Sequence, residues 1–243
     1  SSDLICMYFT DKLQPRYSDY DRYNRLYPES ILKLFEAVAE HHMHSIGDSV
    51  VKGDVSWLIT DWHLEVERYP EREEELSAAT WIRRSEKPYT MDRQFVMTAG
   101  DEQVIRASLT FTLYDMQRKR LVRISDELLD AYAPEQEGVF DVKPPRLHEP
   151  EERLCELPLT IRRADLDFND HVHNTHYLGY ALEALPDEAY GNGEFSSIRV
   201  IYHAPLALDT RAVIRVSEID GGYLCSIRSR DTLHTLIELK QTK

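Results

Sequence analysis

Two stretches of this chain place apolar residues at helical spacing, and runs of alternating apolar and polar residues follow each one. In the first stretch Ile31, Leu34, Phe35, Val38 and Ala39 share one face, and Pro28 and Ser30 stand where a helix begins. In the second, Tyr177, Leu178, Ala181, Leu182 and Leu185 do the same. After the first helix, Trp62, Leu64 and Val66 alternate with polar residues, and Leu76 to Ile82 and the segment around Phe95 and Met97 read as strands. The clearest strand interleaves Ile105, Ala107, Leu109, Phe111 and Leu113 with Arg106, Ser108, Thr110 and Thr112. Strands predicted after the second helix run from Ile198 to Tyr202, through Ala212, Ile214 and Val216, through Tyr223, Cys225 and Ile227, and from Leu233 to Leu239. Strict alternation of this kind marks antiparallel strands with one buried face.

The order of helix then strands therefore occurs twice, and both copies open alike. Ser18-Asp19-Tyr20-Asp21 precedes the first helix and Ala164-Asp165-Leu166-Asp167 the second, and each helix holds a Glu-Ala pair, Glu36-Ala37 and Glu183-Ala184. Between the copies, residues 131–156 are rich in proline (Pro134, Pro144, Pro145, Pro150) and in carboxylates (Glu149, Glu151, Glu152), the composition of a linker. The predicted architecture is a tandem α+β repeat. An N-terminal unit over 1–130 and a C-terminal unit over 157–243 flank the linker, each an antiparallel sheet wrapped around one main helix. Two such units can pair their sheets and enclose an apolar cavity.

Composition narrows the function. With 243 residues, 42% hydrophobic and 30% charged, the chain suits a soluble globular protein with a sizeable core. A net charge of −14 argues against nucleic acid, whose phosphates need a basic surface. No apolar run approaches the roughly 20 residues of a membrane span, and no secretory signal is expected at the start. Ser1-Ser2, without a methionine, reads as a trimmed terminus. Cys6, Cys155 and Cys225 are odd in number and widely spaced, which points to a reducing cytoplasm and away from a disulfide framework or a zinc site. An acidic partner would need a local basic patch, for which Arg83, Arg84 and Lys87, Arg118, Lys119, Arg120 and Arg123, and Arg162 and Arg163 are the candidates.

The densest chemistry lies just before the second helix. Asp167, Asn169 and His171 supply a carboxylate, a hydrogen-bonding amide and a titratable base within five residues. The N–H groups at the head of that helix, around Asn174 and Thr175, could hold an oxygen developing negative charge. Such a cluster suits acyl transfer or hydrolysis. Asp, Asn and His also crowd before helices simply to cap them, and spacing leaves both readings open. His171, His173 and His176, like His41, His42 and His44, lack the cysteine or carboxylate spacing of a metal site, so neither a metal nor a cofactor is expected.

The run Asp165-Leu166-Asp167-Phe168-Asn169-Asp170-His171-Val172-His173-Asn174 and the following Tyr177 to Pro186 resemble the acyl-acyl carrier protein thioesterases of plants and bacteria, which are built as two fused hotdog domains. Trp57 to Thr60, Val66 to Pro70, Thr80-Trp81, Arg106 to Ser108, Asp115 and Arg118 are similar to strands and turns of that family's first domain. The resemblance implies a double hotdog fold, an acyl carrier protein as partner, and release of a long- or medium-chain fatty acid. It also implies Asp167 as general base or nucleophile, Asn169 positioning water or thioester, and His171 supporting the carboxylate or acting as base. Two departures stand out. His173 replaces an asparagine of the motif, and the later positions of the family's glutamate and plant cysteine fall on Pro205 and Leu206.

Tyr202-His203-Ala204-Pro205 instead resembles the wider group of hotdog acyl-CoA thioesterases, in which an aspartate matching Asp167 is often the catalytic carboxylate. His203 lies near the missing acid in sequence, yet faces away from Tyr202 if the strand is regular. An acyl-CoA thioesterase and a non-catalytic acyl-thioester binder are the competing classes, a hydratase a minor one, and a homodimer is compatible with the fold. The first copy keeps Asp19 and Asp21 but has Arg25 where His171 would be, so it is expected to shape the cavity and carry no chemistry.

Overall fold

The computed structural model describes residues 8–47, 55–85, 87–191 and 194–241; Ser1, Ser2 and Cys6 lie outside them. The chain divides into two compact units, one comprising residues 1–62 and 67–143, the other 63–66 and 144–243.

The first unit contains β1 (Phe9–Leu13), the helix α1 (Pro28–Ser45), β2 (Val55–Val66, the last four residues grouping with the second unit), β3 (Leu76–Arg83), β4 (Thr90–Ala99), β5 (Glu102–Asp115), the short β6 (Arg120–Leu121) and α2 (Asp126–Ala131). Its strand order is β1-β3-β4-β5-β2, with β6 paired to β5. The pairings β1–β3, β3–β4 and β4–β5 are antiparallel, as the alternation predicts. β1 and both short elements carry too few alternating residues to be read from sequence. Pro28 starts α1 with its fixed φ and no N–H to leave unpaired. The helix buries Ile31, Leu32, Phe35, Val38 and His42. Leu32 thus takes the buried place expected for Leu34, which is half-buried. Phe35 stacks on Phe95 at 4.7 Å and on Trp62 at 6.3 Å, all three fully buried. Deleting one such ring costs about 3–5 kcal/mol, more than any cap at the helix ends contributes, so packing holds α1 in place.

The second unit contains β7 (Cys155–Leu159), α3 (His176–Glu183), α4 (Asp187–Gly191), β8 (Phe195–Tyr202), β9 (Ala212–Ile219), β10 (Gly222–Ser229) and β11 (Thr232–Gln241), in strand order β8-β11-β10-β9-β7 and antiparallel at every pairing. All five predicted residues of the helical face are buried, although the helix ends at Glu183 and Leu185 lies beyond it, before Pro186. Gly221 at φ +78° makes the β9–β10 turn, and a Cβ on Gly222 would come within 2.0 Å of the Leu239 carbonyl. Cys155 and Cys225 are free thiols.

The proline-rich stretch is tied down along its length. The Val139 N–H donates to Gln94 at 3.0 Å, and the Trp81 indole donates to the Glu137 carbonyl at 3.0 Å. Leu147 packs on Leu224 and Leu236, and Glu149 accepts from Ser226 and Arg228 at 2.6 Å. Residues up to 143 therefore dress the first unit, and those after it the second.

One buried polar group in the first unit is costly to charge. His42, 8% exposed, stacks on Phe9 and stands edge-on to Tyr132, with the Arg93 guanidinium 3.1 Å from its Nδ1. Burial first, and Arg93 second, lower its pKa to about 4. Because the unfolded chain binds this proton near pH 6.5 and the folded one only near 4, stability falls as pH drops through that window. We expect His42 to account for a loss of at most about 3 kcal/mol between those limits. In His42→Gln, which keeps an acceptor for Arg93, chemical denaturation at pH 7 and pH 4.5 should show a smaller drop than in the parent.

Candidate functional site

Each unit carries the same turn ahead of its helix. In the second unit Arg163–Asp165 forms one turn of 3₁₀ helix, closed by the Asp165 carboxylate on the Arg162 N–H at 2.8 Å. The first unit repeats this at Tyr17–Asp19, with Asp19 on the Arg16 N–H at 2.6 Å. Asp165 is fully buried, and its carboxylate also takes the Tyr180 hydroxyl at 2.6 Å and the Arg162 guanidinium. Burial alone would raise its pKa, but these donors outweigh it and hold it below the usual carboxylate range.

The chain then turns through Asp167. Its Oδ1 accepts the Asn169 N–H at 2.8 Å and the His171 N–H at 3.2 Å, while its own N–H donates to the His171 carbonyl at 2.7 Å. Asp170 takes the left-handed conformation, φ +59°, that closes the loop. Asp21 repeats the pattern: Oδ1 accepts the Tyr23 and Arg25 N–H groups at 2.8 and 3.0 Å, and Asn24 sits at φ +65°. The turn register pairs Asp21 with Asp167, Tyr23 with Asn169, Arg25 with His171, and Ile31 with Tyr177. That register also sets Glu36 against Leu182, so the two Glu-Ala pairs are not equivalent; they lie one position apart.

The second carboxylate oxygen separates the two turns. Asp21 Oδ2 accepts the Arg25 guanidinium at 3.0 and 3.2 Å. Among the described residues Asp167 Oδ2 has only the Asn169 amide at 3.5 Å, the outer limit of a hydrogen bond. The expected hydrogen bond from His171 to the carboxylate comes from its backbone N–H, and among the described residues its imidazole makes none. Asp167 and His171 are half-buried and Asn169 exposed; Phe168 between them is 89% exposed.

The turn is joined to the strand-exit segment after β8. The Val172 N–H donates to the Leu206 carbonyl at 2.8 Å, and His171 bridges Ala207. Leu206 is buried, and its N–H donates to the Tyr177 hydroxyl at 2.9 Å. His234 lies 3.1 and 3.0 Å from the Ala204 and Pro205 carbonyls. His203 is exposed and donates its backbone N–H to the His234 carbonyl at 2.8 Å. At the head of α3 the Asn174 carbonyl accepts the Tyr202 hydroxyl at 2.8 Å, and among the described residues the buried Asn174 Oδ1 has no partner. Thr175 is buried beside His173, 3.1 Å from its Nδ1. Among the described residues the backbone N–H groups of Asn174 and Thr175 find no acceptor. By spacing Tyr177 is an ordinary member of the apolar helical face; its one distinguishing signal in the sequence is a hydroxyl three residues after Asn174. The pockets lined by Lys12, Leu13, Glu75 and Gly100, and by Glu149, Arg153, Arg215 and Ser217, include none of these residues. Among the described residues no three of His, Cys, Asp or Glu stand together to hold a metal ion.

Comparison with known proteins follows these lines. Residues 7–132 match the model of the acyl-ACP thioesterase N-terminal domain, and residues 148–241 that of the C-terminal domain. The chain belongs to the acyl-ACP thioesterase family. It is 30% identical over 200 residues to the chloroplastic oleoyl-acyl carrier protein thioesterase of Coriandrum sativum, across 72% of this chain and 53% of that protein. The chain thus spans about half the length of the curated relatives it matches. Its fold is that of the 12:0-ACP thioesterase from Umbellularia californica, with a TM-score of 0.85 over 96% of both chains at 20% identity. It is also that of an acyl-ACP thioesterase from Bacteroides thetaiotaomicron, with a TM-score of 0.83 over 95% of this chain and 96% of the other at 16% identity. The tandem hotdog architecture of the family is therefore the architecture here.

The turn geometry separates the structural from the chemical contribution of Asp167. Asp167→Asn keeps an oxygen for the Asn169 and His171 N–H groups, so its unfolding free energy should fall by less than about 1 kcal/mol. Asp167→Ala strands both donors and should lose about 1–3 kcal/mol in the same denaturation series.

Proposed function

We propose that this protein hydrolyses acyl thioesters of acyl carrier protein, releasing a long- or medium-chain fatty acid. The observation that carries this reading is the open oxygen of Asp167, in a turn whose twin in the first unit closes the same oxygen with Arg25. Asp167 Oδ2 takes a proton from water as the water oxygen bonds to the thioester carbon. The carbonyl becomes an oxyanion facing the free N–H groups of Asn174 and Thr175. Collapse breaks the carbon–sulfur bond, and the proton held by Asp167 passes to the departing thiolate. A thiolate leaves readily, so the acid missing at Pro205 is not essential. Asn169 orients the water, and the free imidazole of His171 assists as base. His203, exposed on the strand exit, is left out of this scheme.

Arg163 stands exposed at the start of the turn, a local cation on an acidic chain that suits an acidic carrier. The first unit, its carboxylate neutralised by Arg25, serves as scaffold. A cytoplasmic setting and the possibility of assembly as a homodimer belong to this proposal.

Free-thiol release from matched acyl-carrier-protein and acyl-CoA substrates tests the reading. We expect turnover on the carrier protein, lowered at least about 100-fold in Asp167→Asn and in His171→Ala. Preference for coenzyme A would move the protein to the acyl-CoA class, and near-normal turnover in Asp167→Asn would reject the role given to that carboxylate.

A further inference from the structure

Asp167 is not the only group in this turn with unused hydrogen-bonding capacity. Tyr177 is 3% exposed, and its hydroxyl oxygen accepts the Leu206 N–H at 2.9 Å. Among the described residues nothing accepts its proton. Folded proteins rarely bury a donor without an acceptor, and when they do the unused donor calls for an explanation. The Leu206 N–H accounts for the phenol's oxygen and not for its proton.

Packing does not account for it either. The equivalent position in the first unit is Ile31, fully buried without any hydroxyl. There the counterpart of Leu206 is Pro70, whose carbonyl likewise accepts from the turn (the Leu26 N–H, 3.3 Å) and which has no N–H to satisfy. The second unit has therefore exchanged an isoleucine and a proline for a tyrosine and an N–H that holds it. This happens on the segment where Pro205 and Leu206 stand in place of the family's acid and cysteine.

The surroundings favour a donor. The Tyr177 ring stands edge-on to that of Tyr202 at 5.6 Å, and the Tyr202 hydroxyl donates to the Asn174 carbonyl, which sets Tyr177 beside the turn that carries the N–H groups of Asn174 and Thr175. Burial, opposed by the Leu206 N–H and reinforced by the charge of Asp167, pushes the phenol up to about 12. It stays protonated at any ordinary pH and cannot act as a base. The influence of Asp167 also puts the two side chains within electrostatic reach.

We infer that Tyr177 is a catalytic residue whose hydroxyl donates a hydrogen bond to the thioester carbonyl oxygen and stabilises the oxyanion formed there. It keeps its proton throughout; the proton from water goes to Asp167 and then to the thiolate, as above. This assignment rests on the thioesterase reading and adds a side-chain donor to the two backbone donors.

The test compares kcat and KM on acyl carrier protein thioester for the parent, for Tyr177→Phe, and for protein carrying 3-fluorotyrosine at 177. Removing one oxyanion donor should lower kcat by about 100- to 1,000-fold with KM within about threefold. The fluorinated phenol, a stronger donor of nearly the same shape, should raise kcat, and it keeps the test decisive if the Phe variant does not fold. A folded Tyr177→Phe enzyme with kcat within about threefold of the parent overturns the assignment while leaving the thioesterase reading intact. So does an unfolded Phe variant combined with no effect of fluorination. A parent protein without turnover on any thioester rejects the thioesterase reading itself, and this assignment with it.

Discussion

A carboxylate that accepts the backbone N–H groups two and four residues ahead of it is the constraint on which the head of the central helix depends in each unit. Asp167 makes this contact in the second unit and Asp21 in the first. Each stabilises a loop that closes through a left-handed residue, Asp170 or Asn24, a conformation unfavourable for a side chain unless the loop fixes it. Once closed, the loop sets the head of the central helix and hydrogen-bonds the segment that leaves a long strand, at Leu206 in one unit and Pro70 in the other. Helix head, strand exit and acidic side chain therefore arrive together because one turn requires all three.

That scaffold is common to both repeats, and under the proposed reaction only one of them carries chemistry. The turn needs one carboxylate oxygen and leaves the second uncommitted. In the first unit Arg25 binds the second oxygen, which gives a neutral, closed turn. In the second unit His171 occupies that position without its ring reaching the carboxylate, and the oxygen stays available. The exchange of Ile31 for Tyr177, and of Pro70 for Leu206, works in the same direction: each adds hydrogen-bonding capacity that the turn itself does not need. In the proposed reaction, function is built from the surplus valence of a structural motif.

In the first unit Phe35, Trp62 and Phe95 stack in a buried core, and Arg93 is buried against Thr80, His42 and Tyr132. A cation so placed favours a neutral imidazole beside it, which makes this core sensitive to acid although it has no part in the proposed reaction. Tyr132 comes from the stretch whose proline and charge content suggested a free linker. Its residues are held because Trp81, Gln94 and Arg106 on the neighbouring strands offer them hydrogen bonds.

Periodicity determined both central helices and most of the antiparallel strands, and with the repeated Asp-x-Asp run the duplication, because burial of one face imposes a repeat of 3.6 or 2 residues that survives in the sequence. The Asp-x-Asn-x-His run was legible for a related reason: the turn is local, so its requirements fall on adjacent residues. What only the tertiary structure decided were the relations between residues distant in sequence. Whether the second oxygen of Asp167 is free depends on what occupies position 171 and where its ring lies. What the Tyr177 hydroxyl meets depends on Leu206, 29 residues away, presenting an N–H to it. The sequence marks Tyr177 as apolar by its spacing, and spacing cannot report where a proton is left without an acceptor.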